Sequence, residues 1–209
     1  MPAGAETMAT WDAIFPTPVM RSNIGRSFTE EELKFFEMLW AASQANVTNF
    51  RSADTHVLDA PEMQSIRSVV AEHVNQFGWK VISAHPKHTF YITQSWVNFT
   101  QPGQSHFRHM HTNSLISGSL YIYVKKEVDS ICFYRNSPAQ LLVTDDQTNP
   151  YNTPIHRVSV DVGDLVLFPS SLLHDVETTT GGHIRVSLAF NAFIKGELGS
   201  EERLNHLTI

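Results

Sequence analysis

A change of hydrophobic period, helical before Gly78 and strand-like after Phe90, restricts what this chain can fold into more than any other feature of its sequence. Thr29-Glu30-Glu31-Glu32 spells a capping box, with Phe28 and Leu33 placed as a hydrophobic staple around it, and a helix follows to about Gln44. Leu33, Phe36, Leu39 and Trp40 share one face of that helix, so it lies against something larger. A second helix begins at Asp59-Ala60-Pro61-Glu62, where Asp59 can cap and Pro61 does no harm in the first turn. Met63, Ile66, Val69, Val70, Val74 and Phe77 form its apolar stripe, and it ends near Gly78. Beyond Phe90 come runs of four to eight residues separated by turn signals such as Pro102-Gly103, Asn149-Pro150 and Gly181-Gly182. Strands are predicted near 90–99, 105–111, 117–124, 130–134, 139–144, 154–160, 164–168, 173–178 and 184–193. Helices first, then short strands with no helix between them, predict a mainly β chain, an antiparallel barrel or jelly roll flanked by two N-terminal helices.

With 209 residues, 42% of them hydrophobic and 17% charged, the chain can bury one core. We expect one domain over 11–194, including a helical layer at about 29–79, between a flexible arm at 1–10 and a tail at 195–209. Fifteen Lys and Arg against twenty-one Asp and Glu give a net charge of −6 with no dense basic run, which argues against a nucleic acid partner. No apolar run is long enough to cross a membrane as a helix, and the first ten residues lack the features of a secretory signal. The single Cys132, inside Ile131-Cys132-Phe133, reads as a small buried hydrophobe, in keeping with a reducing cytoplasm. The sequons at Asn46 and Asn98 read as chance in such a chain. Oligomeric state has no signature here.

Eleven histidines are many for this length, and three of them crowd into His106-Phe107-Arg108-His109-Met110-His111. Residues two apart on a strand point to the same side, so His109 and His111 can offer both imidazoles to one ion, with His106 on the opposite face. Such a pair is half a site for Fe, Zn, Cu or Ni. The third ligand is assigned to His174, because Gly163-Asp164-Leu165-Val166-Leu167-Phe168-Pro169 reads as turn, buried strand and stop, delivering Ser170 to His174 to a barrel rim. Asp175 is the rival, and strand alternation turns it away from His174. His183 beside Gly182 reads as an exposed turn residue. His56, His73, His85, His88, His156 and His206 have no partner at ligand spacing.

An HxH pair alone is weak evidence for a metal, since two polar residues on a wet strand face look the same. The last strand strengthens it. Ile184, Val186, Leu188 and Phe190 form one apolar face, leaving Arg185, Ser187 and Asn191 on the other. A guanidinium facing a barrel lumen needs an anion, and no acidic residue lies beside Arg185 in the sequence. A ligand carboxylate would meet that need, held by the arginine fork and the hydroxyl of Ser187.

The ordered set Trp96-Val97-Asn98, HxH, Ser117-Gly118, GDLVLFPS, His174, Arg185-Val186-Ser187 and Phe190-Asn191, with Phe15-Pro16-Thr17-Pro18 near the start, resembles the 2-oxoglutarate/Fe(II) oxygenases of the double-stranded β-helix superfamily, relatives of the prolyl hydroxylases. The likeness covers about 90–193. It implies a double-stranded β-helix and Fe(II) held by His109, His111 and His174. It also implies that 2-oxoglutarate is bound through Arg185 and Ser187, with Asn98 and Tyr121 as further co-substrate contacts, and that O₂ is consumed in hydroxylating a small-molecule or peptide substrate. His111 departs from the family pattern, which has a carboxylate there. Three neutral imidazoles leave the site one unit more positive.

Two other readings stay open on the residues alone: a cupin-type three-histidine dioxygenase or isomerase that does not use 2-oxoglutarate, and a jelly-roll binding module without activity. The substrate is not written in the sequence, although Trp96, Tyr123 and the loop from Asp145 to Asn152 are candidates to line or cover a pocket.

Overall fold

The computed structural model describes residues 10, 12, 14–84, 88–136 and 149–209; the expected strand at 139–144, most of the arm at 1–10, the first half of the 145–152 loop and His85 lie outside them. The capping box forms as read. Thr29 Oγ1 accepts from the Glu32 amide at 3.1 Å and the Glu32 carboxylate accepts from the Thr29 amide at 2.8 Å, opening α1 (Glu30–Ala41). Its buried face is Glu32, Phe35, Phe36 and Leu39, so the expected stripe is rotated, and Leu33 is left 42% exposed. The cause is polar. Glu32 turns inward to take a two-pronged bond from Arg26, and Phe28 meets Phe36 edge-on instead of stapling Leu33.

Helix α2 (Gln64–Phe77) follows a short 3-10 turn at Pro61–Met63. Asp59 does not cap it, because its carboxylate pairs with Arg67 one turn into the helix. Met63, Ile66, Val70, Val74 and Phe77 are buried as expected, whereas Val69 is only partly covered. The helix continues past Gly78 as one π-type turn, Gly78–Ile82, which Ser83 ends with φ +55°. A Cβ on Gly78 would sit 2.3 Å from the Phe90 ring, so glycine there lets the first long strand press against the helix end.

Three short strands, β1 (Met20–Asn23), β2 (Gln44–Ala45) and β3 (Phe50–Arg51), precede or interrupt the helical layer and were not foreseen. Elements of two to four residues carry too few alternations to register as a period. The predicted run then appears as β4 (Thr89–Thr100), β5 (His106–His109), β6 (Ile116–Tyr123), β7 (Ser130–Tyr134), β8 (Ile155–Ser159), β9 (Asp164–Pro169), β10 (His174–Val176) and β11 (Arg185–Lys195). A last hairpin, β12 (Glu197–Leu198) with β13 (Leu207–Thr208), is closed by reciprocal bonds between Gly196 and Ile209.

Among the described residues all the named strands pair antiparallel, with one isolated parallel bridge between His56 and Ser95. A seven-stranded sheet runs β1-β9-β6-β11-β4-β3-β2, and a four-stranded sheet runs β5-β10-β7-β8. Alternation sorts the side chains of the larger sheet. Val97, Phe99, Leu120, Leu165, Leu167, Leu188 and Phe190 pack with α1 and α2 on one face. On the other face Tyr121, Val166 and Phe168 meet Ile131, Phe133 and Val158 of the smaller sheet. Gly118 lies where β6, β9 and β11 come closest: a Cβ there would fall 2.4 Å from the Phe190 ring and 2.9 Å from the Val166 carbonyl oxygen. Cys132 is buried, and burial pushes its thiol pKa up.

Candidate metal centre

Between the two sheets, the inward residues of β4, β6 and β11 are polar where the apolar packing stops: Trp96 and Asn98, Ser117, Ser119 and Tyr121, then Arg185 and Ser187. The facing wall comes from β5 and β10. Register sets His174 opposite His109, and then Val176 opposite His106, so β5 spends three residues where β10 spends two. That bulge overturns one expectation. An extra residue breaks strict alternation, so His106 lies on the same side as His109, stacked on its ring at 4.8 Å, and lines the cavity.

The three predicted ligands converge. One nitrogen each from His109, His111 and His174 lies within 4.8 Å of the others, and the ring centroids are 4.3 to 5.2 Å apart. Ligand nitrogens on one first-row ion stand roughly 3 Å apart, so the rings need only close inward to share one. His109 Nδ1 is 2.7 Å from the Phe107 carbonyl and His174 Nδ1 is 2.9 Å from the Leu172 carbonyl. Each carbonyl accepts the Nδ1 proton and leaves the Nε2 lone pair for an ion. Burial holds the His174 imidazole down to about 3 and that of His111 to about 4, with His109 adding repulsion in both cases; His109 is itself lowered by burial. The trio is neutral at neutral pH, which is the state that binds metal.

His111 reaches the trio by a route the sequence did not show. Strand β5 ends at His109, and His111 sits beyond it, its N–H donating to the Ser170 carbonyl at 2.9 Å. Its ring packs beside Trp96 at 5.8 Å and approaches Asn191 at 3.4 Å. Asp175 stays outside the trio, as alternation predicted, and accepts from the Tyr134 hydroxyl at 2.7 Å.

Deeper in the same cavity Arg185 is 2% exposed and Ser187 is 3% exposed, 3.5 Å apart through Nη1 and Oγ. Tertiary structure adds an anion that the sequence did not place near them. Asp129, in the turn before β7, has Oδ1 4.0 Å from Arg185 Nε, while its Oδ2 takes bonds from the Lys125 amide and from His183 Nε2, both at 2.7 Å. His183 is therefore buried, not an exposed turn residue, and Gly181 makes room for it, since a Cβ there would lie 2.4 Å from the His183 ring. Asp129 offsets charge without using up the guanidinium's hydrogens. Among the described residues Arg185 Nε, the Tyr121 hydroxyl and Asn98 Oδ1 are buried without a well-formed hydrogen bond, the Tyr121 hydroxyl lying near Ser119 and Arg185. Burial pushes the Tyr121 phenol up to about 12 against the pull of Arg185. Polar groups this deep without a well-formed hydrogen bond cost about 1–3 kcal/mol each, which a polar ligand would recover. Three imidazoles beside a buried guanidinium with spare donors fit a divalent ion and a dicarboxylate.

Residues 94–191 match the family described as "Putative 2OG-Fe(II) oxygenase". No curated protein matches the sequence. Among solved structures, a 2OG-Fe(II) oxygenase family oxidoreductase from Burkholderia pseudomallei superposes with a TM-score of 0.57 at 12% identity, covering 83% of each chain. HygX from Streptomyces hygroscopicus, solved with nickel and 2-oxoglutarate, gives 0.58 at 12% identity over 84% of this chain and 82% of its own. A prolyl hydroxylase from Trichoplax adhaerens, solved with a peptide fragment of hypoxia inducible factor, gives 0.58 at 14% identity over 84% and 83%. The fold is the double-stranded β-helix that these oxygenases share. Residues 94–191 thus carry a likeness to the 2-oxoglutarate/Fe(II) oxygenases, on a fold shared with solved members of that group.

Asn98, Tyr121, Arg185, Ser187 and the three histidine ligands named from the sequence line one cavity. Asp129 and His183 were missed: Asp129 carries no motif, and His183 beside two glycines looked like a turn. Asn191 was placed on the polar row but given no role. Trp96 lines the cavity, while Tyr123 is 54% exposed and lies edge-on to His183.

Proposed function

We propose that His109, His111 and His174 hold the ferrous ion and that Arg185, with Ser187, binds the far carboxylate of 2-oxoglutarate. The observation that carries this reading is the pair of groups without a well-formed hydrogen bond, Arg185 Nε and the Tyr121 hydroxyl, buried in the same cavity as the histidines. When bound, the ion and co-substrate reduce O₂, with 2-oxoglutarate decarboxylated to succinate and CO₂ while one oxygen atom enters the substrate. The chain's own residues do the rest. The backbone carbonyls of Phe107 and Leu172 fix two imidazoles as Nδ1–H tautomers. Arg185 and Ser187 would orient the co-substrate, and the Tyr121 hydroxyl would donate to it. Asp129 keeps the guanidinium from being an uncompensated charge before the co-substrate arrives. Asn98 contributes its amide from β4. Phe168, packed against His174 at 4.6 Å, helps keep water from the ligand rings.

The product is a hydroxylated substrate of a class still open. HygX is solved with hygromycin B and the Trichoplax enzyme with a peptide, so both small molecules and peptides are bound on this fold. A cytoplasmic setting fits the lone buried thiol. No helix among the described residues is long and apolar enough to cross a membrane.

The test is calorimetric titration of 2-oxoglutarate into Ni(II)-loaded protein, paired with succinate release under Fe(II) and O₂. Stoichiometric binding is expected, with Arg185→Gln weakening it at least tenfold while nickel stays bound. No binding and no succinate would reject the proposal.

A further inference from the structure

The departure from the family pattern at His111 needs its own support. An imidazole that ligates through Nε2 must give its Nδ1 proton to an acceptor. His109 and His174 use backbone carbonyls two residues earlier. Among the described residues His111 has only the Asn191 amide, at 3.4 Å.

That amide heads a line of contacts. Asn191 meets Ser117 Oγ at 2.7 Å, Ser117 meets Ser170 at 2.8 Å, and Ser170 meets Ser114 at 2.8 Å. Ser114 ends the line 3.2 Å from both the Ile116 and Ala192 carbonyls. Asn191, Ser117 and Ser170 are all buried, so water does not complete their hydrogen bonding. Each serine has one proton, which makes the line directional.

Two directions exist. As the amide is seated in the structure, Ser117 donates to its oxygen and Asn191 Nδ2 faces His111 Nδ1, which must then be a bare lone pair. The His111 proton moves to Nε2 and points at the other two ligands. Protons also run short: with Ser117 committed to Asn191, the two protons of Ser170 and Ser114 must serve three remaining contacts, so one goes unfilled. If the amide is turned by 180°, every contact is filled. His111 Nδ1–H donates to Asn191 Oδ1, Asn191 Nδ2 to Ser117, Ser117 to Ser170, Ser170 to Ser114, and Ser114 to a main-chain carbonyl. An amide's two ends have the same shape, and the surrounding hydrogen bonds decide its seating.

We propose that Asn191 is a positioning residue for the metal centre: it accepts the Nδ1 proton of His111 and, through the Ser117-Ser170-Ser114 relay, fixes His111 in the one tautomer that can ligate. The inference rests on the metal-site reading above. The same Ser170 whose carbonyl holds the His111 backbone is also a link in the relay, so backbone and ring of His111 are tied to one point on the loop after β9.

Co(II) serves as the probe, because imidazole N–H protons of cobalt-bound histidines appear as shifted, exchangeable proton resonances. The wild-type protein with one equivalent of Co(II) should show three, the one from His111 slowest to exchange because it is buried against Asn191. Asn191→Leu should bind Co(II) about tenfold more weakly, the low end of what loss of such a partner costs, and lose the third resonance to exchange. Asn191→Asp keeps an acceptor in place and should restore both affinity and resonance, which also guards against a leucine variant that fails to fold. Two resonances in wild type, wild-type affinity in Asn191→Leu, or loss of Co(II) binding in Asn191→Asp would overturn the assignment of Asn191 and leave the metal site standing. Failure of the wild type to take up Co(II) would remove the metal site as well.

Discussion

His106 is half-buried and His174 buried, both against the His109 ring and both held down to about 3, yet only His174 joins the cluster of His109 and His111. Position relative to the bulge separates them. His174→Ala should leave the protein with well under one equivalent of iron after anaerobic reconstitution, as read by elemental analysis. His106→Phe, which keeps a flat ring on His109, should retain a full equivalent. His106 lines the cavity, so a loss confined to 2-oxoglutarate binding would mark it as a co-substrate contact. Gly118 offers a test free of the metal. Gly118→Ala drives a methyl into the Phe190 ring and the Val166 carbonyl, and should cost about 1–3 kcal/mol in urea unfolding with an unchanged m-value.

The helices contribute through their ends as much as through their stripes. Thr29→Ala removes one half of the capping box and should lower stability by about 1 kcal/mol, measured by denaturant midpoint, with metal content unchanged because α1 packs on the face of the larger sheet away from the site. What rotated α1 from its expected face was Glu32, a residue whose charge argues for solvent and whose partner Arg26 lies before the helix. Hydrophobic periodicity has no means of anticipating a buried carboxylate with a bidentate partner. The strands were easier to find than to orient. Those of β4, β6, β9 and β11 fell within one or two residues of expectation, because long alternating runs bounded by turn residues have no competing reading. In β5, one extra residue was enough to move His106 to the other face.

The whole molecule keeps neutral imidazoles in a low-dielectric cavity, and that ties its stability to pH. His106, His111 and His174 have folded-state values of about 3 to 4, below the roughly 6.5 of an unfolded chain. Such groups stabilise the fold fully above pH ~6.5, and the contribution falls away as pH drops toward the folded values, because the unfolded chain takes up the protons first. Metal-free protein should therefore unfold at progressively lower urea between pH 7 and pH 4. A bound divalent ion present at a hundred times its Kd should add about 2.7 kcal/mol at neutral pH and lose that gain in the same acid range. Local period, turn residues and ordered motifs carried the helix-then-strand order, the barrel class, the pairing of His109 and His111 with His174, and the polar row of β11. His106 entering the cavity, Asp129 and His183 standing behind Arg185, and Asn191 meeting His111 came only with the packing of the sheets. Those are contacts between residues 54 to 80 positions apart, or the product of one bulge, and no local pattern encodes either.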